Sequence, residues 1–193
     1  MRICVYGAAS NEIDPKYIET VEDLGKQMVS RGHSLVFGGG CNGLMGAVAR
    51  GVHSAGGNII GVTPSFFIDE EIEALCDYCD EFIQTKTMRE RKQVMEDNAD
   101  AFIVVPGGIG TFEEFFEILT LKQLCRHNKA IAIYNIEGYY DDIDSAMNKA
   151  IEKGFIRSNC TELYKITDNL EQLFNYIEKP QTKFRTVKEL KNG

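Results

Sequence analysis

The chain lacks tryptophan, lacks any apolar run near the ~18 residues that cross a bilayer, and has a deficit of cations, Lys+Arg 21 against Asp+Glu 29. Without a long apolar run there is no candidate transmembrane helix, and no membrane partner is expected. The short apolar start, Met1–Tyr6, runs at once into glycine and acidic residues, so it is expected to be a first strand and not a leader. A net charge of −8 excludes a broad phosphate-neutralising face, and with it general binding of nucleic acid polymers. Any anionic ligand must be held locally, against the overall field. His33, His53 and His127 stand apart, and Cys76-Asp-Tyr-Cys79 has no second pair, so a structural zinc lacks its four ligands. The six cysteines are scattered along a chain long enough to bury its own core, which points to reduced thiols and a cytoplasmic protein. Repeats, low-complexity tracts and linkers are also missing. One domain is therefore expected over residues 1–178, followed by a basic tail, 179–193, carrying Lys183, Arg185, Lys188 and Lys191.

What is present is alternation. Brief runs rich in Ile, Val, Phe and Tyr predict strands at Arg2–Tyr6, Ser34–Phe37, Asn58–Val62, Ala101–Val105, Ala130–Tyr134 and Tyr164–Ile166, with a weaker one at Glu81–Ile83. Amphipathic stretches between them predict helices at Pro15–Ser30, Gly43–Ala55, Met88–Asn98, Phe112–Cys125, Tyr140–Lys153 and Leu170–Ile177. Apolar strands alternating with helices imply an α/β fold, a Rossmann-like doubly wound parallel sheet flanked by helices. In such sheets ligands sit beyond the carboxyl ends of the strands. Three loops fall there: Gly7-Ala-Ala-Ser10, Gly38-Gly-Gly-Cys-Asn-Gly-Leu-Met-Gly46 and Pro106-Gly-Gly-Ile-Gly-Thr-Phe-Glu-Glu114.

Gly38, Gly40 and Gly43 spell G-x-G-x-x-G between a strand and a helix, yet the next strand ends Gly61-Val-Thr-Pro64 with no acid to hold a ribose hydroxyl. A nicotinamide dinucleotide therefore fits poorly, and without a following Gly-Lys-Ser/Thr so does a Walker loop. Two readings stay open: bare N–H groups at a helix start that hold a phosphate or carboxylate, or a tight turn that needs glycine. In the last loop, Gly107, Gly108 and Gly110 allow close backbone approach to a ligand, while Thr111 and Glu114 have capping-box spacing before a helix expected at Phe112. Glu114 aligns with Ile118 and Leu121, which places its carboxylate at a partly desolvated rim; Glu113 and Glu117 share another face. The third piece is Thr87-Met-Arg-Glu-Arg-Lys, again with capping-box spacing, now at Thr87 and Glu90. It sets Arg89, Arg91 and Lys92 in a first helical turn, against the helix dipole, which suggests an anion nearby or a solvated basic face. Arg91 falls one turn from both Met88 and Met95.

The Gly38–Gly46 loop, Met88-x-x-Arg91-Lys92 and Pro106-Gly-Gly-x-Gly-Thr-x-x-Glu114 occur in the same order in the "Lonely Guy" family, which this chain resembles from about Ile3 to Ile177. Members are cytokinin riboside 5′-monophosphate phosphoribohydrolases, long mislabelled as lysine decarboxylases. The resemblance implies a homodimer without metal or redox cofactor. It also implies hydrolysis of the N-glycosidic bond of a nucleoside 5′-monophosphate such as AMP, giving free base and ribose 5-phosphate. The family's catalytic pair falls on Arg91 and Glu114. Its phosphate and ribose contacts fall on Gly108, Ile109, Gly110, Thr111, Phe112 and Glu113, with Lys92 beside the arginine and Thr120 further along the helix; Met88, Gly107, Gly39, Gly40 and Ser10 join them as candidate substrate contacts. On that reading Glu114 stabilises an oxocarbenium-like sugar or orients water, Arg91 anchors substrate and keeps Glu114 ionised, and the Gly107–Thr111 segment holds the 5′-phosphate. Arg89 stands where the family often has histidine, and Gly7-Ala-Ala-Ser10 where it often has Cys-Gly-Ser-Ser. Both positions are near the expected base and phosphate pockets, so the resemblance specifies reaction type more closely than substrate. Two alternatives stay open: a regulatory module that binds a mononucleotide without cleaving it, and a scaffold whose helices serve mainly for dimerisation.

Overall fold

The computed structural model describes residues 1–70 and 72–181; the basic residues of the expected tail, Lys183 to Lys191, lie outside them. The elements run β1 (Arg2–Tyr6), α1 (Pro15–Ser30), β2 (Ser34–Phe37), α2 (Gly43–Ser54), β3 (Ile59–Pro64), α3 (Ser65–Asp69), β4 (Glu81–Thr85), α4 (Met88–Asn98), β5 (Ala101–Val104), α5 (Ile109–Gln123), β6 (Ala130–Tyr134), α6 (Asp141–Glu152), β7 (Lys165–Thr167) and α7 (Leu170–Ile177). All strands join one parallel sheet in the order β4-β3-β2-β1-β5-β6-β7. β3, β5 and β6 are buried along their whole length, which is why they appear in the sequence as unbroken apolar runs. The outermost strands, β4 and β7, are partly exposed and correspondingly weaker signals.

From β1 the chain winds outward through β2, β3 and β4, then returns to β5 and winds the other way. The loops after β1 and β5 thus leave the sheet toward opposite faces and open a crevice between them, the topological switch point of an open α/β sheet. One face is covered by α1, α2 and α7, with Val21, Leu24, Met28, Val48, Val52, Leu173 and Phe174 in its core. Against the other lie α4, α5 and α6, represented by Met95, Phe115, Ile118 and Met147.

Three expectations are corrected. β3 and β4 run on to Pro64 and Thr85, because Thr63 and Pro64 pair with Gln84 and Thr85 beyond the apolar stretch. The short α3 and two 3₁₀ turns, Ile136–Gly138 and Ser158–Glu162, carry too little periodicity to be foreseen. Finally α5 begins at Ile109 rather than Phe112 and is capped by the Gly108 backbone with no side-chain cap. The Thr111–Glu114 capping box does not form, since both residues already lie inside the helix.

Candidate active site

At the start of α4 the Thr87 hydroxyl accepts the Glu90 N–H (3.1 Å) and the Glu90 carboxylate accepts the Lys86 N–H (2.7 Å). The capping box is therefore present, with its reciprocal bond shifted one residue toward the N-terminus. It fixes the next turn, from which Arg91 reaches back over the sheet. Arg91 is only 5% exposed. Its Nε donates to the Val62 carbonyl (3.1 Å) and its Nη2 to the Gly38 carbonyl (3.2 Å), at the carboxyl ends of β3 and β2. Phe67 offers its ring face at 5.6 Å and Met88 lies alongside. The approach requires glycine at position 38, where a Cβ would stand 1.9 Å from Arg91 Nη2. No carboxylate pairs with this guanidinium within ion-pair distance among the described residues. A buried cation held by neutral carbonyls alone is costly and strongly attracts nearby negative charge.

Two carboxyls feel that charge. Glu114, half-buried on α5, is pushed up to about 7 by burial, which outweighs the pull of Arg91 in the other direction. Glu73, on the segment between α3 and β4, is likewise raised by burial and drawn down by Arg91. Arg91 thus pulls Glu114 toward the ionised form, as expected, but burial outweighs that pull, and no hydrogen bond or ion pair joins the two among the described residues. Lys92 turns the other way, to Glu113 Oε1 (2.5 Å) and Glu117 Oε2 (2.8 Å), tying α4 to α5. The excess of positive charge in the first turn of α4 is therefore resolved differently for each cation. Lys92 is matched by two carboxylates, Arg91 lies over backbone carbonyls, and Arg89 is exposed.

The two glycine loops, alike in sequence, differ in what their N–H groups do. At α2 the Gly43 N–H donates to Asn11 Oδ1 (3.1 Å), and the Leu44 and Met45 N–H groups donate to the Ala8 carbonyl (2.8 and 3.3 Å). Gly43 itself is left-handed (φ 56°), with a Cβ position 2.5 Å from the same carbonyl. This helix start is filled by the chain's own first loop, so the tight-turn reading prevails there over the anion-site reading. The preceding glycines serve a short antiparallel contact: the Cys41 N–H donates to Ala74 and the Cys76 N–H to Gly39, each at 2.8 Å, while the Glu73 carboxyl lies against Gly40. At α5, by contrast, no described residue accepts from the N–H groups of Gly108, Ile109, Gly110 or Thr111. Ile109 is 87% exposed, and the Cβ positions of Gly108 and Gly110 face open space. That start presents its donors and its dipole outward, a ready anion-binding geometry.

Glu114 stands one helical turn beyond those donors, on the side of the sheet that also carries Arg91. In the crevice on the other side of the loop is a cavity of about 310 Å³, lined among others by Ile13, Tyr17, Leu44, Gly107, Gly108 and Tyr139. Among the remaining expected contacts, the Ser10 hydroxyl accepts the Glu12 N–H (3.1 Å), Met88 is exposed at the head of α4, and Phe112 packs edge-on against Tyr140. Thr120 is not brought to this end: its hydroxyl donates to Phe116 (2.7 Å), about 16 Å along the helix from Ile109. Glu73 and Tyr139 escaped the reading of the sequence. Glu73 sat in an acidic run that resembles solvated surface; Tyr139 could have been suspected from its place in a loop at the carboxyl end of β6. The neighbouring Cys79 side chain draws the Cys76 thiol down to about 7, and no group of three or more metal-ligating side chains occurs among the described residues.

Comparison with known proteins adds the following. Residues 45–177 match a family described as possible lysine decarboxylase. A probable cytokinin riboside 5′-monophosphate phosphoribohydrolase of rice (Oryza sativa subsp. japonica) is 40% identical over 175 residues, covering 91% of this chain and 75% of that protein. A probable enzyme of the same name from Arabidopsis thaliana is 38% identical over 183 residues, covering 94% and 90%. Among solved structures, the molybdenum cofactor carrier protein of Chlamydomonas reinhardtii superposes with a TM-score of 0.68 at 20% identity, covering 92% of this chain and 95% of the other. At that identity the likeness concerns the fold alone.

Proposed function

The chain belongs to the family of the cytokinin riboside 5′-monophosphate phosphoribohydrolases, and from that premise we propose that it hydrolyses the N-glycosidic bond of a purine nucleoside 5′-monophosphate to free base and ribose 5-phosphate. One observation carries the assignment of the site: a raised carboxyl, Glu114, one turn beyond the open donors of α5 and beside the buried charge of Arg91. The Gly108–Thr111 N–H groups take the 5′-phosphate, which sets the ribose over the first turn of α5. As the C1′–N bond breaks, its electron pair leaves with the base and positive charge grows on the sugar. The Glu114 carboxylate faces that charge and accepts a proton from the water that adds to C1′. With its proton affinity near neutrality, Glu114 can both take this proton and return it to the departing base. Arg91 anchors the substrate and balances Glu114 electrostatically. Residues 1–178 carry this activity, with AMP or an N6-alkylated AMP as substrate.

The experiment is chromatography of free base released from AMP and from N6-isopentenyl-AMP, with Glu114→Gln and Arg91→Ala in parallel. Release by the wild-type chain that falls about 100-fold or more in Glu114→Gln, on a folded protein, supports the assignment. Tight nucleotide binding without release in the wild-type chain would replace it with the regulatory-module reading. We further propose a homodimer in the cytoplasm. Phe116 on α5 and Leu124 at its C-cap remain 38% and 45% exposed along one stripe with Thr120 between them, as expected of a face covered by a second copy. Light scattering should then give twice 21.7 kDa; a monomer at micromolar concentration would reject the dimer.

A further inference from the structure

Tyr139 follows Gly138 in the loop between β6 and α6. Its ring meets Tyr17 edge-on (6.4 Å between centroids, 78°) and Tyr140 likewise (5.1 Å, 84°), so it is braced from two sides although 43% exposed. Its hydroxyl donates to the Gly107 carbonyl at 2.7 Å. A peptide unit is planar, and in the trans form its C=O and N–H point in opposite directions. The carbonyl of Gly107 and the N–H of Gly108 belong to one such unit, so a bond that fixes the first fixes the direction of the second. Gly108 has no Cβ contact within 4 Å that would otherwise hold it, and Gly107 has no side chain to be gripped. The hydroxyl also withdraws electron density from that carbonyl, which makes the Gly108 N–H a better donor.

We propose that Tyr139 is a positioning residue for the phosphate-holding loop. Through Gly107 it aims the Gly108 N–H, the first of the open donors at α5, at the phosphate of the substrate. This rests on the functional reading above for the identity of the anion. The neighbouring Tyr140 serves as an internal contrast. It is buried and its hydroxyl donates to the Val105 carbonyl (2.8 Å). The peptide unit completed by that carbonyl ends in the nitrogen of Pro106, which has no proton to aim. Of two adjacent tyrosines gripping the same loop, one controls a donor and the other only the loop's packing.

The test compares Tyr139→Phe and Tyr140→Phe with the wild-type chain, using calorimetric titration of ribose 5-phosphate and of adenine together with steady-state hydrolysis of AMP. For Tyr139→Phe, ribose 5-phosphate affinity should fall and KM rise together by about 3- to 10-fold, the worth of one hydrogen bond. Its kcat should change less than twofold, and adenine affinity and Tm should stay as in the wild type. Tyr140→Phe should lower Tm without a loss selective for the phosphate ligand. Equal ribose 5-phosphate affinity in Tyr139→Phe and wild type would overturn the proposal, as would a loss shared equally with adenine. A wild-type chain that binds ribose 5-phosphate but hydrolyses nothing would sink the hydrolase reading alone, and the binding comparison would still decide the role of Tyr139.

Discussion

At the scale of single residues, Glu114 sets the pH behaviour. Its carboxyl is raised from the ordinary 4.5 to about 7, so the folded chain holds a proton that the unfolded chain has released between those values. Stability from this group is complete below about pH 4.5 and is lost as pH rises through 7, an effect of about 1–3 kcal/mol. Glu114→Gln removes that loss. In thermal melts the variant should match the wild type near pH 4.5 and exceed it above pH 7; a constant difference across the range would show that Glu114 does not titrate there. Activity should move the opposite way, because only the ionised carboxylate faces a growing positive charge. The wild-type kcat/KM should rise with pH and level off above about 7. Gly38 gives a second test at this scale. Gly38→Ala puts a Cβ where Arg91 Nη2 now lies, 1.9 Å away. Arg91 must then leave the Gly38 carbonyl, and hydrolysis should fall toward the level of Arg91→Ala although position 38 bears no functional group. Activity close to wild type would show that this hydrogen bond does not place the guanidinium.

At the scale of elements, the sequence revealed helices wherever their ends were marked by side chains. Asp14 caps α1, with Pro15 in its first turn, and Asn169 caps α7; both helices have the bounds their patterns predict. It misplaced the start of α5 because Gly107, Gly108 and Gly110 resemble loop. The first turn of a helix donates no intrahelical hydrogen bond, so glycine is tolerated there more readily than its interior propensity suggests. That Arg91 and Glu114 belong on neighbouring helices of one face was legible, because each follows a strand and a helix-start pattern; that no hydrogen bond joins them was not. The fate of the α2 donors was not, since it depends on a carbonyl at Ala8, far away in the chain, and the same holds for Glu73 over Gly40. Local patterns announce that N–H groups lie bare at a turn; only tertiary structure decides what meets them. Gly43 joins the two levels. Gly43→Ala requires a left-handed alanine with its Cβ 2.5 Å from the Ala8 carbonyl, so it should lower stability by about 2 kcal/mol or more in denaturant titration. A change under 0.5 kcal/mol would mean that the first loop yields easily.

At the scale of the whole molecule, the switch-point crevice and the two core layers follow from strand order; the alternation of apolar runs and amphipathic helices made the parallel, doubly wound sheet legible, whereas the order itself depends on which strands meet in space. The sheet offers two glycine-rich helix starts at its carboxyl edge and closes one of them with its own backbone. The Ala8 carbonyl at α2 acts as a built-in surrogate for a ligand oxygen, permanently seated. If the proposed site holds the phosphate, the fold counts phosphates: a compound bridged by pyrophosphate would find one grip instead of two, while a monophosphate would satisfy all that is offered. For inhibitor chemistry this favours a single anionic head on a ribose-like spacer, and it separates such compounds from the dinucleotides that crowd other sheets of this shape.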